Sequence, residues 1–159
     1  MNPDLTEREF APTPAYLVGR EKVREFARAV LATSPLHHDP AAAQAAGYAD
    51  VVAPPTFPIV IAEATLQQLL AEPDAGIDFS RVVHGDQRFT YVSLAENLGL
   101  EVGQVVAEQT FNLSRDTLVR YAGASGDFNP IHYRDDVAAQ VGLPGVLAHG
   151  MLTMGVAVQ

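Results

Sequence analysis

The sequence contains no cysteine, which excludes disulfide bonds, thiolate metal sites and a cysteine nucleophile. It also lacks an apolar run near the roughly 20 residues that a membrane-spanning helix needs. The longest candidate, residues 51–62, is interrupted by Pro54, Pro55 and Pro58. The first ten residues include three acidic side chains and no apolar core typical of a signal peptide. We therefore expect a cytoplasmic location and no membrane partner.

Basic residues are also scarce, because 10 Lys and Arg stand against 19 Asp and Glu, for a net charge of −9. Such a chain offers no basic face for the phosphates of a nucleic acid, so we expect no nucleic-acid partner. The 159 residues, 48% hydrophobic and 18% charged, are typical of a globular protein. That length fits one domain of ordinary size or two small halves that share a core.

One pattern occurs twice in the chain. Residues 20–60 align without a gap on residues 115–155, at an offset of 95 positions. Apart from one arginine pair, the identities fall on proline, histidine, glycine and apolar positions, which are the positions that set local structure, so we interpret the match as an internal repeat. The identical pairs are Arg20 and Arg115, Ala27 and Ala122, Ala29 and Ala124, Pro35 and Pro130, His37 and His132, Ala43 and Ala138, Gly47 and Gly142, Val51 and Val146, and Ala53 and Ala148.

Each copy predicts the same local plan. An amphipathic helix comes first, with Ser114 as the N-cap in the second copy. A polar loop with a proline follows, then a short alanine-rich helix that ends at a glycine, then an apolar helix. Between the copies, partial alternation of apolar and polar residues predicts strands. The predicted ranges are 40–46, 135–141, 56–70 and 151–158 for the later helices, and 81–92 and 105–113 for the strands.

The two copies differ at chemically informative positions. The second copy has Asp127, Asn129 and Gly150 where the first has alanine, serine and proline. Both copies keep a histidine, which is His132 in the second. Because a proline has no backbone N–H to donate, the first copy lacks both the carboxylate and the glycine amide. The second copy is therefore the candidate active site.

Two segments of the second copy carry a family resemblance. Residues 121–132, YAGASGDFNPIH, and residues 148–154, AHGMLTM, resemble the MaoC-like family of R-specific enoyl-thioester hydratases and dehydratases. They are especially similar to the catalytic subunits of actinobacterial (3R)-hydroxyacyl-ACP dehydratases. The first copy, with REKVREF at 20–26 and APPTF at 53–57, is similar to their non-catalytic partner subunits.

The resemblance implies an α+β hot-dog fold, in which a curved antiparallel sheet wraps a long central helix. It predicts two related but shortened halves, a degenerate one at 1–92 and a catalytic one at 93–159. The second half would end within its central helix, so either the chain is a fragment or a partner completes the sheet. We expect a homodimer, or a heterodimer with another hot-dog chain.

Loss of water from a 3-hydroxyacyl thioester needs a base for the C2 proton and an acid for the C3 hydroxyl. His132 suits the first task and Asp127 the second, although the two groups are coupled and their roles could be reversed. The Gly150 amide, at the start of a helix, would stabilise the charge that develops on the thioester oxygen. Asn129 would orient Asp127, His132 or a water.

Three further residues are candidates for substrate binding. Ser125 has no base spaced to make it a nucleophile, so capping or loop hydrogen bonding is the favoured role. His149 is expected behind the pair of Asp127 and His132, or at the start of the last apolar helix. Phe57, on the first apolar helix, would line an acyl tunnel or pack in the core. His37 and His38 have no third ligand at fitting spacing, so we predict no metal and no cofactor.

The predicted function is that of a hydro-lyase, a (3R)-3-hydroxyacyl-thioester dehydratase or trans-2-enoyl-thioester hydratase of fatty-acid metabolism, acting on acyl-CoA or acyl-ACP. Two alternatives stay open. One is a non-catalytic subunit that binds or scaffolds acyl thioesters. The other is a hot-dog thioesterase, since one fold hosts several chemistries.

Overall fold

The computed structural model describes residues 2, 5, 8–88 and 110–158. In these ranges the chain folds into helices joined by short turns. The α-helices are α1 (Arg20–Ala29), α2 (Pro40–Ala45), α3 (Pro58–Leu70), α4 (Arg115–Ser125), α5 (Asp135–Gln140) and α6 (Gly150–Ala157), with 3-10 turns at Pro35–His37, Phe79–Arg81 and Pro130–His132.

The internal repeat recurs as structure. The helix α4 lies 95 positions after α1, α5 lies 95 after α2, and the 3-10 turns Pro35–His37 and Pro130–His132 share that offset. The glycines that end α2 and α5 have φ angles of 92° and 84°, a conformation that glycine adopts at little cost. The two copies therefore share one backbone plan up to the start of their last helices.

The two first helices of the copies form the centre of the core. The helix α1 packs against α4, and the ring centroids of Phe26 and Tyr121 lie 6.0 Å apart across this contact. Phe57, just before α3, adds an edge-on ring 5.4 Å from Phe26. The core thus joins both copies, so neither copy has an apolar centre of its own.

The helix α6 approaches this core through Gly155. A β-carbon at this position would lie 2.8 Å from Val30 Cγ1 and 3.0 Å from Thr56 Oγ1. Real β-carbons essentially never show such short contacts, so only glycine allows α6 to lie this close to the first copy.

The helix boundaries differ from the prediction by a few residues. The helix α3 begins at Pro58 rather than at position 56, because proline is favoured in the first turn, where its missing N–H costs nothing. The helix α6 begins at Gly150, one residue early, and α2 and α5 each end one residue early. Ser114 caps α4 as expected, since its Oγ accepts from the Thr117 N–H at 3.3 Å.

The predicted strands are not found in the described residues. Residues 82–88 and 110–113 carry no strand, and the turn Phe79–Arg81 is held by Asp78, which accepts from the Ser80 N–H at 3.1 Å. This part of the prediction was wrong because local alternation does not supply a partner strand. Residues 89–109 lie outside the described ranges, as does the boundary at 92 and 93. The antiparallel sheet and that boundary therefore stay predictions.

Among the described helices, none is both long enough and apolar enough to cross a membrane.

Candidate active site

The turn after α4 presents the acidic residue. Gly126 adopts φ 88° and ends α4 in the left-handed conformation. Ser125 Oγ donates to the Tyr121 carbonyl oxygen at 2.8 Å and accepts from the Asp127 N–H at 3.2 Å. Ser125 therefore shapes the turn, in keeping with the capping role that its spacing favoured.

Asp127 and His132 meet across the turn. The Asp127 Oδ2 atom lies 3.8 Å from His132 Nε2, and the two side chains are 24% and 7% exposed. The Asp127 Oδ1 atom accepts from the Asn129 N–H at 3.1 Å. His132 Nδ1 lies 2.8 Å from the Leu147 carbonyl oxygen. Because a carbonyl oxygen only accepts, Nδ1 carries a proton, and in the neutral form of the ring Nε2 is the unprotonated nitrogen that faces Asp127.

His149 supports this pair from behind. Its ring stacks on His132, with centroids 3.7 Å apart and an angle of 24° between the planes. Its Nε2 atom lies 3.2 Å from the Asp127 carbonyl oxygen, which makes Nε2 the donor. Burial, and then the neighbouring His132, lower the pKa of His149 to about 4. His149 is thus a neutral, buried support for the dyad at pH 7 and does not line the cavity in front of it.

The side chains of Asp127, His132 and His149 bring potential metal ligands within 4.8 Å of one another. A metal ion lies in the plane of each imidazole that binds it, about 2.0–2.1 Å from the nitrogen. The two imidazoles are stacked almost parallel, so their nitrogen lone pairs lie in two separate, nearly parallel planes. This arrangement does not suit a shared ion, and the absence of a metal stays a prediction.

A cavity of about 650 Å³ opens in front of the dyad. Asp127 and His132 form one wall, and Ile59, Leu66 and Leu69 on α3 form an apolar wall. The segment 79–87, which follows the first copy, also lines the cavity. The cavity therefore lies between the two copies and combines one reactive side with one apolar side.

The side chain of Asn129 binds the segment 79–87 through backbone oxygens. Its side-chain amide donates to the carbonyl oxygens of Phe79, at 2.7 Å, and Val82, at 3.0 Å. Its Oδ1 atom accepts from the Ile131 N–H at 3.3 Å. The side chain of Asn129 thus binds the backbone of the segment 79–87, whereas its backbone N–H donates to Asp127.

Gly150 lines the cavity as the first residue of α6. Its N–H is among those that the start of an α-helix leaves without an intrahelical partner. A β-carbon at this position would lie 2.9 Å from His84 Cβ, so the segment 79–87 can pack here only against a glycine. The glycine consequently serves close packing as well as presenting an amide to the cavity.

The comparisons with known proteins cover both copies. Residues 5–98 match the family model described as a FAS1-like dehydratase domain region. Residues 97–159 match the model described as a MaoC-like domain. The chain belongs to the MaoC-like dehydratase family. The resemblance read from the motifs of the second copy is thereby confirmed.

Bacterial relatives of this MaoC-like chain carry the name UPF0336 protein. The relative from Leifsonia xyli subsp. xyli is 70% identical over 91 residues, which is 57% of this chain and 61% of the relative. The relative from Clavibacter michiganensis subsp. michiganensis is 67% identical over the same length and shares. The relative from Thermobifida fusca is 46% identical over 110 residues, 69% of each chain. The chain thus spans 61% of the length of the first two relatives.

A solved structure described as a MaoC-like dehydratase matches this chain with a TM-score of 0.63 at 27% identity. The match covers 89% of this chain and 72% of the other. Because it covers so much of the chain, the architecture of the described helices is that of the MaoC-like family.

The remaining predicted residues are placed as follows. Phe57 is 3% exposed and packs in the core, outside the cavity of this MaoC-like protein. The alternative of core packing therefore fits Phe57. Leu66, on α3, lines the cavity instead. His37 and His38 each approach a backbone carbonyl oxygen, that of Val52 at 2.7 Å and that of Ala32 at 2.8 Å.

Among the residues that line the cavity, Tyr121, Glu63 and His84 were given no role by the sequence, although Tyr121 opens the first motif. Burial raises the pKa of Glu63, although the Gln67 amide donates to its carboxylate at 2.7 Å. No sequence signal marks Glu63 or His84, since both reach the cavity only through the packing of the two copies. Tyr121 had a signal, because the repeat aligns it with Phe26.

Proposed function

We propose that this protein is a hydro-lyase that interconverts (3R)-3-hydroxyacyl thioesters and trans-2-enoyl thioesters. The observation that carries the proposal is the Asp127 Oδ2 atom 3.8 Å from His132 Nε2 at the wall of a cavity that also contains Gly150. Membership of the MaoC-like dehydratase family supports the same class of reaction.

In the dehydration direction, the unprotonated Nε2 of His132 accepts the C2 proton of the substrate. The electron pair of that C–H bond forms the C2–C3 double bond as the C3–O bond breaks. Asp127 gives its proton to the departing oxygen, which leaves as water. Hydration reverses each step, with Asp127 accepting a proton from the attacking water. This division of roles follows from the free Nε2 that the Leu147 carbonyl contact leaves on His132.

The thioester oxygen gains negative charge when the C2 proton is removed. The N–H of Gly150 is a donor for that oxygen, and the α6 dipole favours negative charge at its N-terminal end. The apolar wall of α3 would receive the acyl chain. The proposal includes coenzyme A or an acyl carrier protein as the carrier of the acyl group. It also includes a second hot-dog chain as the partner.

The test is hydration of crotonyl-CoA, followed by the loss of absorbance of the conjugated enoyl thioester. We expect Asp127→Asn to lower kcat by about 10²- to 10⁴-fold, because an amide can neither give nor accept the proton. The matched control is Asp136→Asn, since Asp136 is exposed, pairs with Arg134 and does not line the cavity.

Equal rates for wild type and Asp127→Asn would reject the dyad. Release of free coenzyme A, measured as thiol in the same assay, would support a thioesterase instead. Binding of crotonyl-CoA without either reaction would support a subunit that only holds acyl thioesters.

A further inference from the structure

The core aromatic ring of the two copies differs by one hydroxyl group. Tyr121 on α4 and Phe26 on α1 are equivalent in the repeat, and both are buried, at 1% and 0% exposure. The first copy shows that the ring alone satisfies this core position. The hydroxyl of Tyr121 is therefore an addition that packing does not require.

That hydroxyl makes no hydrogen bond of normal geometry among the described residues. The Ser125 side chain is near enough to lower the pKa of Tyr121, but its Oγ already donates to the Tyr121 carbonyl oxygen and accepts from the Asp127 N–H. A buried hydroxyl without a partner costs free energy, so the retention of a tyrosine here calls for a compensating role. The same comparison of copies suggests which role. Tyr121 accompanies Asp127, whereas Phe26 accompanies Ala32, so the hydroxyl and the carboxylate are present together or absent together.

Tyr121 and Asp127 are also neighbours in the site. Both line the cavity, and Ser125 Oγ links the Tyr121 carbonyl oxygen to the Asp127 N–H. The Tyr121 ring centroid lies 4.9 Å from that of His149, which packs behind the dyad. Burial, followed by the charge of Asp127, raises the pKa of Tyr121, partly offset by the Ser125 side chain. The phenol therefore keeps its proton and can act only by donating it or sharing it.

The other charged or titratable groups around the cavity offer weaker partners. Glu63, on α3, already accepts a hydrogen bond from Gln67, and its charge raises the pKa of Tyr121 less than that of Asp127 does. His132 uses Nδ1 for the Leu147 carbonyl oxygen and faces Asp127 with Nε2. His84 and Asp86 line the cavity from the segment 79–87. Asp127 is the acceptor that is present in the copy with the hydroxyl and absent from the copy without it.

We propose that the Tyr121 hydroxyl is a positioning donor for Asp127, with which it forms a hydrogen bond when the carboxylate rotates about its side-chain bonds. The bond would hold Asp127 in the orientation that faces His132 and the substrate. The catalytic consequence rests on the proposed hydratase activity, but the hydrogen bond itself does not.

The first experiment needs no turnover. The carboxyl carbon of Asp127 is titrated by carbon-detected NMR in the full chain, in wild type, Tyr121→Phe and Tyr48→Phe. A donor to a carboxylate favours its charged form, so losing the donor should move the titration midpoint of Asp127 upward. We expect a shift of about one pH unit, a tenfold change in the acid constant, in Tyr121→Phe. Tyr48, half exposed in the first copy and outside the cavity, is the matched control and should leave the midpoint unchanged.

The second experiment measures crotonyl-CoA hydration in Tyr121→Phe, in Asp127→Asn and in the double variant. We expect Tyr121→Phe to lower kcat by about tenfold with little change in KM, because Asp127 would no longer be held in its reactive orientation. Adding it to Asp127→Asn should cause no further loss, because the hydroxyl acts through Asp127. Since Phe26 fills the same core position, the variant should fold with an unchanged or higher Tm.

An unchanged Asp127 midpoint in Tyr121→Phe would overturn the proposal, whatever the activity. So would a full additional loss of rate in the double variant, because the hydroxyl would then act on the substrate directly. If wild type hydrates no enoyl thioester while the midpoint still shifts, the proposed function fails and the positioning hydrogen bond stands.

Discussion

The two copies contain the same histidine contact, but the residues around it differ. His37 Nδ1 lies 2.7 Å from the Val52 carbonyl oxygen, and His132 Nδ1 lies 2.8 Å from that of Leu147, at equivalent positions. In both copies the shared contact holds the loop to the segment before the last helix of the copy. Because the first copy keeps this contact without an acid beside it, the histidine serves the fold first, and its neighbours decide whether it can also serve chemistry.

Those neighbours change together. Ala32, Pro54 and Pro55 of the first copy correspond to Asp127, His149 and Gly150 of the second. One set offers a carboxylate, a buried imidazole behind the dyad and a free amide, while the other offers none of the three. The two copies therefore share a backbone plan but carry different side chains at the candidate site. Single substitutions at matched positions can test this difference.

The largest effect is expected when each histidine is removed in turn. His132→Ala should lower crotonyl-CoA hydration by about 10²- to 10⁴-fold, because the group that delivers the C2 proton in this direction is lost. His37→Ala should leave kcat within about a factor of three. Each variant loses one hydrogen bond to a carbonyl oxygen, so each should lose about 1 kcal/mol of unfolding free energy. Equal losses of activity would show that the copies are functionally equivalent, which would break the comparison.

A smaller effect is expected from pH, through His149, whose equivalent in the first copy is a proline. The pKa of His149 is lowered from 6.5 to about 4 in the folded protein. Its contribution to the unfolding free energy is therefore fully present above pH 6.5. It falls as the pH drops from 6.5 to 4, where only the unfolded chain takes up the proton, by about 3 kcal/mol in all.

Urea unfolding at pH 7, 5.5 and 4 measures this loss. His149→Gln keeps a side-chain donor for the Asp127 carbonyl oxygen and removes the titrating group. Its unfolding free energy should depend less on pH between 6.5 and 4 than that of wild type. The same slope in both proteins would mean that burial of His149 does not limit stability in acid.

The smallest effects concern glycines that the first copy does not share. Gly155 aligns with Val60, but a β-carbon there would meet Val30 and Thr56 at 3.0 Å or less. We expect Gly155→Ala to destabilise the protein by about 1–3 kcal/mol through overpacking, measured by urea unfolding.

Gly123, which aligns with Arg28, is the matched control because it is exposed on α4 and a β-carbon there meets nothing within 4 Å. Gly123→Ala should stabilise the protein by about 0.5–1 kcal/mol, since alanine favours the helix. Opposite signs for the two substitutions are the expected result, and a stabilising Gly155→Ala would contradict the close approach of α6.

The sequence predicted the parts of the fold that depend on local signals. Helix periodicity, the Ser114 cap and the glycines after α2 and α5 were sufficient to place those helices to within a residue or two. The motif also predicted that Asp127 and His132 meet, because only four residues separate them and a turn joins them.

Features set by packing between distant segments could not be predicted. The partners of Asn129 lie 47 and 50 positions away, and nothing near Asn129 in the sequence points to them. Glu63 and His84 reach the cavity for the same reason. For Phe57 the sequence left an acyl tunnel and the core equally open, because an aromatic residue at the start of an apolar helix fits both. Its contact with Phe26 places it in the core.

The side-chain amide of Asn129 joins the turn that carries Asp127 to two backbone oxygens of the segment 79–87. These contacts use only backbone atoms of that segment, so they depend on the path of the segment and not on which side chains it carries. A change of residue type at Phe79 or Val82 that keeps this path would leave both hydrogen bonds in place. An insertion or deletion within the segment would move the two oxygens and separate this side of the cavity from the turn.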